Sequence, residues 1–335
     1  MDGWHRAIHP LYVKKRKETA VERRRLGNTD IEVSGLCFGS LTMTPFQANL
    51  SLDEGARLIW YAYEKGINFI DTAEIYDNYE YIKRGIKGIL RSDYVIATKT
   101  YAYTAEMAEN SLHTALRELQ TDHIDIFLLH EQESEHTIRG HYPAIEYLIK
   151  AKEQGKVRAI GISTHRVAGV KGFLKYKELD IVHPLLNIDG IGIHDGTRDD
   201  MVEGIKACHK AGRGIYSMKP LGGGHLIKRA EEAFGFLRDM KELHSIAIGL
   251  QSTQEIDAAV QMLQNGYIEK STKESINRSN RRLIVQDYCH GCGNCESRCQ
   301  QGGISVIDGL AVPNEKCILC GYCATVCPEF CIKVI

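Results

Sequence analysis

GINFIDTAEIY, residues 66–76, runs Ile67, Phe69 and Ile70 up to an aspartate at position 71 and a tyrosine five residues further on. Short runs rich in Ile, Val and Phe and bounded by turn residues read as buried strands. Ending such a strand on a carboxylate places a charge at the rim of a packed sheet, where burial alone gives no reason for it.

Working outward, the same kind of run appears eight times: GLCFG at 35, INFID at 67, YVIAT at 94, IDIFL at 124, RAIGI at 158, IVHPL at 181, RGIYSM at 213 and HSIAI at 244. Segments of helical period lie between them. DEGARLIWYAYEK from 53 is opened by the capping box Ser51-x-x-Glu54, and AEMAENSLHTALREL from 105 and PAIEYLIKAKEQ from 143 follow the same rhythm. Eight strand-helix units are the count that closes a parallel (β/α)8 TIM barrel, an α/β fold, and RRRLGNTDIEVSG ahead of the first strand reads as a hairpin across its N-terminal mouth.

The far end of the chain is different. Cys289, Cys292, Cys295 and Cys299 form C-x2-C-x2-C-x3-C, and Cys317, Cys320, Cys323 and Cys327 repeat that spacing 28 residues later, followed by Pro328. The repeat extends past the thiols, since GISVI at 303 aligns with CIKVI at 331. Consecutive C-x2-C steps wrap three corners of a cubane, and the fourth cysteine reaches the other cluster. Two [4Fe-4S] clusters are therefore expected, one on Cys289, Cys292, Cys295 and Cys327, the other on Cys317, Cys320, Cys323 and Cys299. Zinc sites also use C-x2-C pairs but have no use for two interlocked runs. The stretch resembles bacterial two-cluster ferredoxins, an α+β iron-sulfur fold, with Gln300 where a proline is usual. The other three of the eleven cysteines, Cys37, Cys208 and Cys331, read as small packing residues.

These readings divide the chain into a basic N-terminal tail (1–22), a barrel (23–265), a polar linker (266–282) and an iron-sulfur domain (283–335). A formal charge of -1 gives no reason to expect nucleic acid or a membrane as partner, and no run of apolar residues is long enough for a signal or a span. The cytoplasm is the default location. The expected partners are a small-molecule substrate and a redox partner protein.

In barrels of this kind chemistry gathers at the C-terminal ends of the strands. Asp71 ends the second strand and Tyr76 follows it; Lys99 ends the third and His130 the fourth. Singly, each has an ordinary explanation as helix cap, loop aromatic, surface lysine or core histidine. Together they resemble the Asp, Tyr, Lys, His set of the aldo-keto reductases, and the resemblance runs from LGNTDIEVSG to the eighth strand. It implies a tyrosine general acid whose pKa is lowered by the lysine, with the aspartate holding that lysine and the histidine donating to a carbonyl oxygen.

The resemblance also implies a nicotinamide cofactor, and there the sequence departs from the pattern. Ser163 keeps the family's serine, but Thr164 stands in place of the asparagine that holds the carboxamide, His183 in place of a glutamine, and Met218 in place of the stacking aromatic. Backbone around Leu221, Gly222 and Gly249 can still approach a pyrophosphate, and GGG at 222–224 could cradle phosphate or simply be a loose loop. No basic residue in GLQSTQEIDAA, from 249, is available for a 2'-phosphate. Nicotinamide moves two electrons together and a cluster moves one, so NAD(P) and a flavin both remain candidate cofactors. HEQESEHTIRGH, from 130, reads as a polar loop over the site. The expected activity is oxidoreduction of a carbonyl or related group through the clusters; the alternative is an electron-transfer module whose barrel serves only as a docking scaffold.

Overall fold

The computed structural model describes residues 21–276, 282–299, 301–317, 319 and 321–334. Most of the basic tail and the expected ligand Cys320 lie outside the described residues.

Strands β1 (Arg23–Arg25) and β2 (Glu32–Ser34) pair antiparallel as the expected hairpin. Eight parallel strands follow: β3 (Leu36–Gly39), β4 (Phe69–Asp71), β5 (Val95–Thr100), β6 (Ile124–Leu129), β7 (Val157–Thr164), β8 (Ile181–Pro184), β9 (Gly214–Met218) and β10 (Ser245–Gly249). They close in chain order, with β10 pairing both β9 and β3. The strand period of two sorts their side chains. Cys37, Phe69, Ala97, Ile126, Ile181 and Tyr216 fill the barrel, and alternate residues such as Leu36, Ile70 and Ile96 turn outward beneath the helices. Leu26 and Ile31 of the hairpin join the inner cluster and plug its lower end. The plug sits close: a Cβ on Gly27, whose φ is +59, would lie 2.3 Å from the Gly214 nitrogen.

The surrounding helices are α1 (Leu52–Glu64), α2 (Tyr79–Gly85), α3 (Ala105–Leu119), α4 (Glu135–Gly140), α5 (Tyr142–Glu153), α6 (Val167–Phe173), α7 (Arg198–Lys210), α8 (Ala230–Arg238) and α9 (Thr253–Asn265). The capping box at α1 forms as expected, with the Ser51 hydroxyl accepting from the Glu54 nitrogen and the Glu54 carboxylate accepting from the Ser51 nitrogen. The segment from 130 is not wholly a loop. Ser134 and Thr137 cap α4, and fully buried Ile138 anchors it. Within the polar segment after α9, α10 (Lys270–Ser275) lies against the barrel, where the Glu231 carboxylate accepts from the Ile268 nitrogen at 2.6 Å and pairs with Lys273 at 2.9 Å. No helix among the described residues is long and apolar enough to cross a membrane.

The C-terminal region consists of two small antiparallel sheets, β11 (Leu283–Val285) with β14 (Ile332–Val334) and β12 (Ile304–Ile307) with β13 (Leu310–Pro313), plus helix α11 (Asn294–Arg298). The duplicated segments GISVI and CIKVI supply β12 and β14, as the repeat implies. The region lies across the C-terminal mouth of the barrel. Gln286 Nε2 donates to the Phe46 carbonyl at 3.3 Å on one side. On the other side, Phe330 comes so near the backbone that a Cβ on Gly192 would lie 3.3 Å from its ring, and a Cβ on Gly224 would lie 2.8 Å from the Val334 carbonyl oxygen.

Candidate functional site

At the C-terminal ends of β4 and β5 the barrel holds a buried ion pair. Lys99 Nζ lies 2.6 Å from Asp71 Oδ2 and donates also to the Thr72 carbonyl at 2.7 Å. The two side chains are 2% and 8% exposed, so each depends on the other for compensation. The second Asp71 oxygen accepts the Tyr216 hydroxyl at 2.9 Å. His183 stacks on the Tyr216 ring at 3.8 Å between centroids, donates from Nδ1 to the Tyr216 carbonyl at 2.6 Å, and brings Nε2 within 3.8 Å of Asp71. Burial, ahead of any charge, pushes His183 down to about 4, so it sits as a neutral ring.

Tyr76 and His130 stand above this pair. Their rings meet edge to face at 5.9 Å, and Lys99 Nζ lies 5.4 Å from the Tyr76 ring centre. The pKa of Tyr76 moves opposite to the sequence expectation. Burial, then the negative charges of Asp71 and Glu131, hold it well above the usual phenol range, because the Lys99 ammonium is already spent on Asp71 and the Thr72 carbonyl. His130 is held well below the usual imidazole range by burial first and then by Lys99. Among the described residues its Nδ1 is buried without a partner, and its ring stacks on Tyr101 at 4.6 Å.

All four expected residues thus converge on one pocket, and the sequence reading missed others beside them. Tyr216 is inside the barrel because it alternates with outward neighbours in β9, a direction that only register reveals. His165, Lys219 and Phe330 line the mouth: His165 follows β7, Lys219 follows β9, and Phe330 arrives from the C-terminal region to lie 5.9 Å beneath Lys219 Nζ.

The residues expected to meet a nicotinamide dinucleotide are largely engaged by the chain itself. The Ser163 hydroxyl accepts from the Glu131 nitrogen at 2.9 Å, and that of Thr164 from the Arg166 nitrogen at 3.0 Å. Met218 is tied into the sheet, with its carbonyl accepting from the Leu186 nitrogen at 3.2 Å. Leu221 and Gly222 begin the GGG turn, which is neither a loose loop nor an open cradle: β14 packs on it, with the Val334 carbonyl seated at Gly224. At Gly249 a Cβ would fall 2.1 Å from the Thr42 methyl, so that approach is filled as well.

In the C-terminal region the cysteines gather in the crossed sets that their spacing implies. Cys289, Cys292, Cys295 and Cys327 line one cavity together with Cys331. Cys299, Cys317 and Cys323 line a second. Backbone N–H groups point at the sulfurs: Gly303 donates to Cys299 Sγ at 3.2 Å and Ala311 to Cys289 Sγ at 3.5 Å. Such donors stabilise thiolates and the charge on a cluster. Among the described residues no group of three His, Cys, Asp or Glu side chains is placed to hold a single metal ion. The donor set and its spread fit cubane clusters. Cys331 does more than pack, since its sulfur lies 3.2 Å from Cys327 Sγ.

The aldo/keto reductase family profile matches residues 35–274, and a 4Fe-4S binding domain profile matches 311–333, which contains the second cysteine run. L-galactose dehydrogenase of Arabidopsis thaliana is 30% identical over 227 residues, 63% of this chain and 69% of that protein. A methylglyoxal reductase of Yersinia pestis is 27% identical over 181 residues, and the match spans 50% of this chain and 63% of that protein's length. Among solved structures, an aldo-keto reductase from Pseudomonas aeruginosa superposes with a TM-score of 0.65 at 23% identity, over 75% of this chain and 97% of that one. One from Bacillus halodurans, in its holo form, gives 0.63 at 21%, over 76% and 94%. With its closed barrel and these matches, the chain belongs to the aldo/keto reductase family of oxidoreductases and carries a C-terminal 4Fe-4S domain.

Proposed function

We propose that the protein is an iron-sulfur oxidoreductase that reduces a carbonyl or related group, with electrons carried through two [4Fe-4S] clusters bound by the crossed cysteine sets. The observation that carries this reading is the position of the first thiol-lined cavity. Cys327 lines it, and Phe330, three residues on, lies under Lys219 at the end of β9, on the same C-terminal face of the barrel that carries Tyr76 and His130. The clusters supply electrons one at a time at low potential. Reduction of a carbonyl to an alcohol takes two electrons and two protons: two clusters on these cysteines would supply the electrons singly, Tyr76 supplies the proton at oxygen, and the proton that ends on carbon comes from solvent. A low-potential one-electron donor, such as a redox partner protein, refills them. This economy favours a carbonyl whose one-electron-reduced form is stabilised by conjugation.

Within the barrel, Tyr76 is the proton donor. Its raised pKa keeps it protonated at neutral pH, so it gives up its proton only to an oxygen on which negative charge has built up. Neutral His130 donates a hydrogen bond to the carbonyl oxygen as charge develops there. Asp71 keeps Lys99 charged and in place. Members of the family typically use a nicotinamide dinucleotide. The arrangement here speaks against one, because β14 covers the glycine turn and Thr42 fills the approach at Gly249. No step is assigned to it. A flavin would have to enter through the same roofed mouth.

Anaerobic assays of the cluster-loaded protein test this reading. A conjugated carbonyl is offered with reduced viologen or with reduced nicotinamide, and Tyr76→Phe is run beside the parent. Viologen-driven reduction that Tyr76→Phe lowers about a hundredfold or more is expected. Turnover driven by nicotinamide, or indifferent to Tyr76, would remove the reading. Cluster reduction with no carbonyl turnover would favour a docking scaffold for electron transfer.

A further inference from the structure

Two lysines, one from each part of the chain, face the pocket mouth without a counter-ion. Lys219 follows β9 directly, and its backbone is held at φ +58, in the left-handed region that side chains other than glycine enter at a cost. Phe330, beneath its Nζ at 5.9 Å, is held at φ +56. Opposed strained residues of this kind persist where the surrounding structure requires their positions. Lys333 lies between Ile332 and Val334 in β14; those two side chains are buried, Ile332 in the small C-terminal core, so strand alternation sends Lys333 to the other face. That strand is the one whose Val334 carbonyl meets Gly224, five residues after Lys219.

The two cations share one environment. Burial and the charge of Lys333 bring Lys219 down to about 8, and Lys333 is lowered as well, chiefly by burial. Neither side chain makes an ion pair or a hydrogen bond among the described residues, and the Lys219 ammonium lies over the Phe330 ring. Glu131 is the carboxylate whose field reaches both, and it is tied to the Tyr101 hydroxyl at 2.6 Å and lies 3.7 Å from His165. His130 and His165 are neutral and add no positive charge, but they leave N–H donors facing the same space. Strand alternation turns Lys333 away from the cluster side of β14, so on the mouth side two half-buried ammonium groups face one engaged carboxylate and favour a bound anion, against the longer-range negative charge of a cluster in the first cavity.

We propose that Lys219 and Lys333 form an anion-binding site, assembled only when the C-terminal region is docked, that holds the carboxylate or phosphate of the substrate while its carbonyl reaches Tyr76 and His130. This deepens the reductase reading and rests on it for the identity of the reacting group. The substrate class is a small carbonyl compound bearing an anionic oxygen group. Lysine suits either anion, since it acts as a point charge rather than as a planar fork.

The test is calorimetric titration of the oxidised, cluster-loaded full chain with oxalate and, separately, with inorganic phosphate. Parent, Lys219→Asn and Lys333→Met are compared at equal iron content. Asparagine is chosen because it tolerates left-handed backbone. The parent binds at least one of the two anions, the stronger arm showing whether a carboxylate or a phosphate is preferred, and each substitution weakens that binding at least about tenfold. Equal affinity in the parent and both lysine variants overturns the proposal, as does the absence of binding by either anion in the parent. Binding that depends on the lysines in a protein that reduces no carbonyl keeps the anion site and removes the reductase reading. Reduction of neutral carbonyls with a KM unmoved by Lys333→Met does the reverse.

Discussion

In the barrel, Lys99 and Asp71 are buried and satisfied by each other, by Tyr216 and by a backbone carbonyl, inside a core built from dozens of apolar side chains. In the C-terminal region, four of the eight residues that form the core are cysteines, namely Cys295, Cys323, Cys327 and Cys331, joined by Ile304, Ala311, Ala324 and Ile332. One site is held by a fold that is stable without it. The other is most of what its fold has to pack around, and so small an apolar core supplies little stability by itself. The comparison teaches that ligand loss should act locally in one region and globally in the other.

The sharpest way to break that comparison is to remove a thiol. Cys295 is 5% exposed and lies in α11, between the first cavity and the core. When a metal group organises a small fold, its binding free energy is folding free energy. Cys295→Ser should lose one cluster and unfold the C-terminal region while the barrel persists, seen as lost iron and a melting curve split in two. A single unchanged transition with half the iron would show that the region folds without its clusters.

Next in size is the barrel's own ion pair. Asp71→Asn leaves Lys99 as a buried cation with no anion and a single amide oxygen to accept from both Lys99 and Tyr216. Breaking a buried pair by removing one partner typically costs about 3–5 kcal/mol. Chemical denaturation should register that loss in the barrel transition alone, with iron content unchanged. A loss also felt by the C-terminal region would mean that the two parts fold as one unit.

How much of this could be read from sequence follows from where the signals are local. Each of the eight strands announced itself by a short apolar run, and α1 by Ser51 and Glu54, because strand and cap signals need only a few adjacent residues. The crossed cysteine sets follow from spacing, and the cavities group those cysteines the same way, apart from Cys320, which lies outside the described residues. Asp71, Lys99 and His130 were visible as polar ends of apolar strands. Tyr216 was not, since its inward direction depends on the register of β9 against its neighbours. Lys219, Lys333 and Phe330 carried no signal, because their roles arise from contact between segments more than a hundred residues apart. The same long-range packing explains why a glycine turn read as a phosphate cradle is instead the seat of β14.

Acid separates the two regions more gently. His183 is buried beside Tyr216 and Asp71, and its pKa falls to about 4 in the folded barrel, against an ordinary value of 6.5. Between those values the unfolded chain holds a proton that the folded chain lacks, so stability falls as pH drops from 6.5 towards 4 and is fully present above 6.5. A shift of this size is worth about 3 kcal/mol at the acid end. His183→Gln cannot titrate, and its amide can still donate to the Tyr216 carbonyl. Its barrel transition should therefore shift less with pH over that interval than the parent's, and parallel curves would assign the acid sensitivity elsewhere.

The smallest expected effect lies at the thiol that the spacing rule left over. Cys331 is 3% exposed and its sulfur is 3.2 Å from Cys327 Sγ, so beside a cluster-bound Cys327 thiolate its S–H is the donor. A donor to a ligand sulfur favours the more negative, reduced state, and weak hydrogen bonds of this type are worth about 0.5–1 kcal/mol. Cys331→Ala should keep both clusters and lower the potential of one of them by on the order of tens of millivolts, by the proportion between potential and free energy for a single electron. Redox titration followed by spin resonance reads the two clusters separately. A shift confined to one of them marks the cluster nearer the barrel mouth. Loss of iron instead would mean that Cys331 is itself a ligand, and that the first cavity uses a different four of its five thiols.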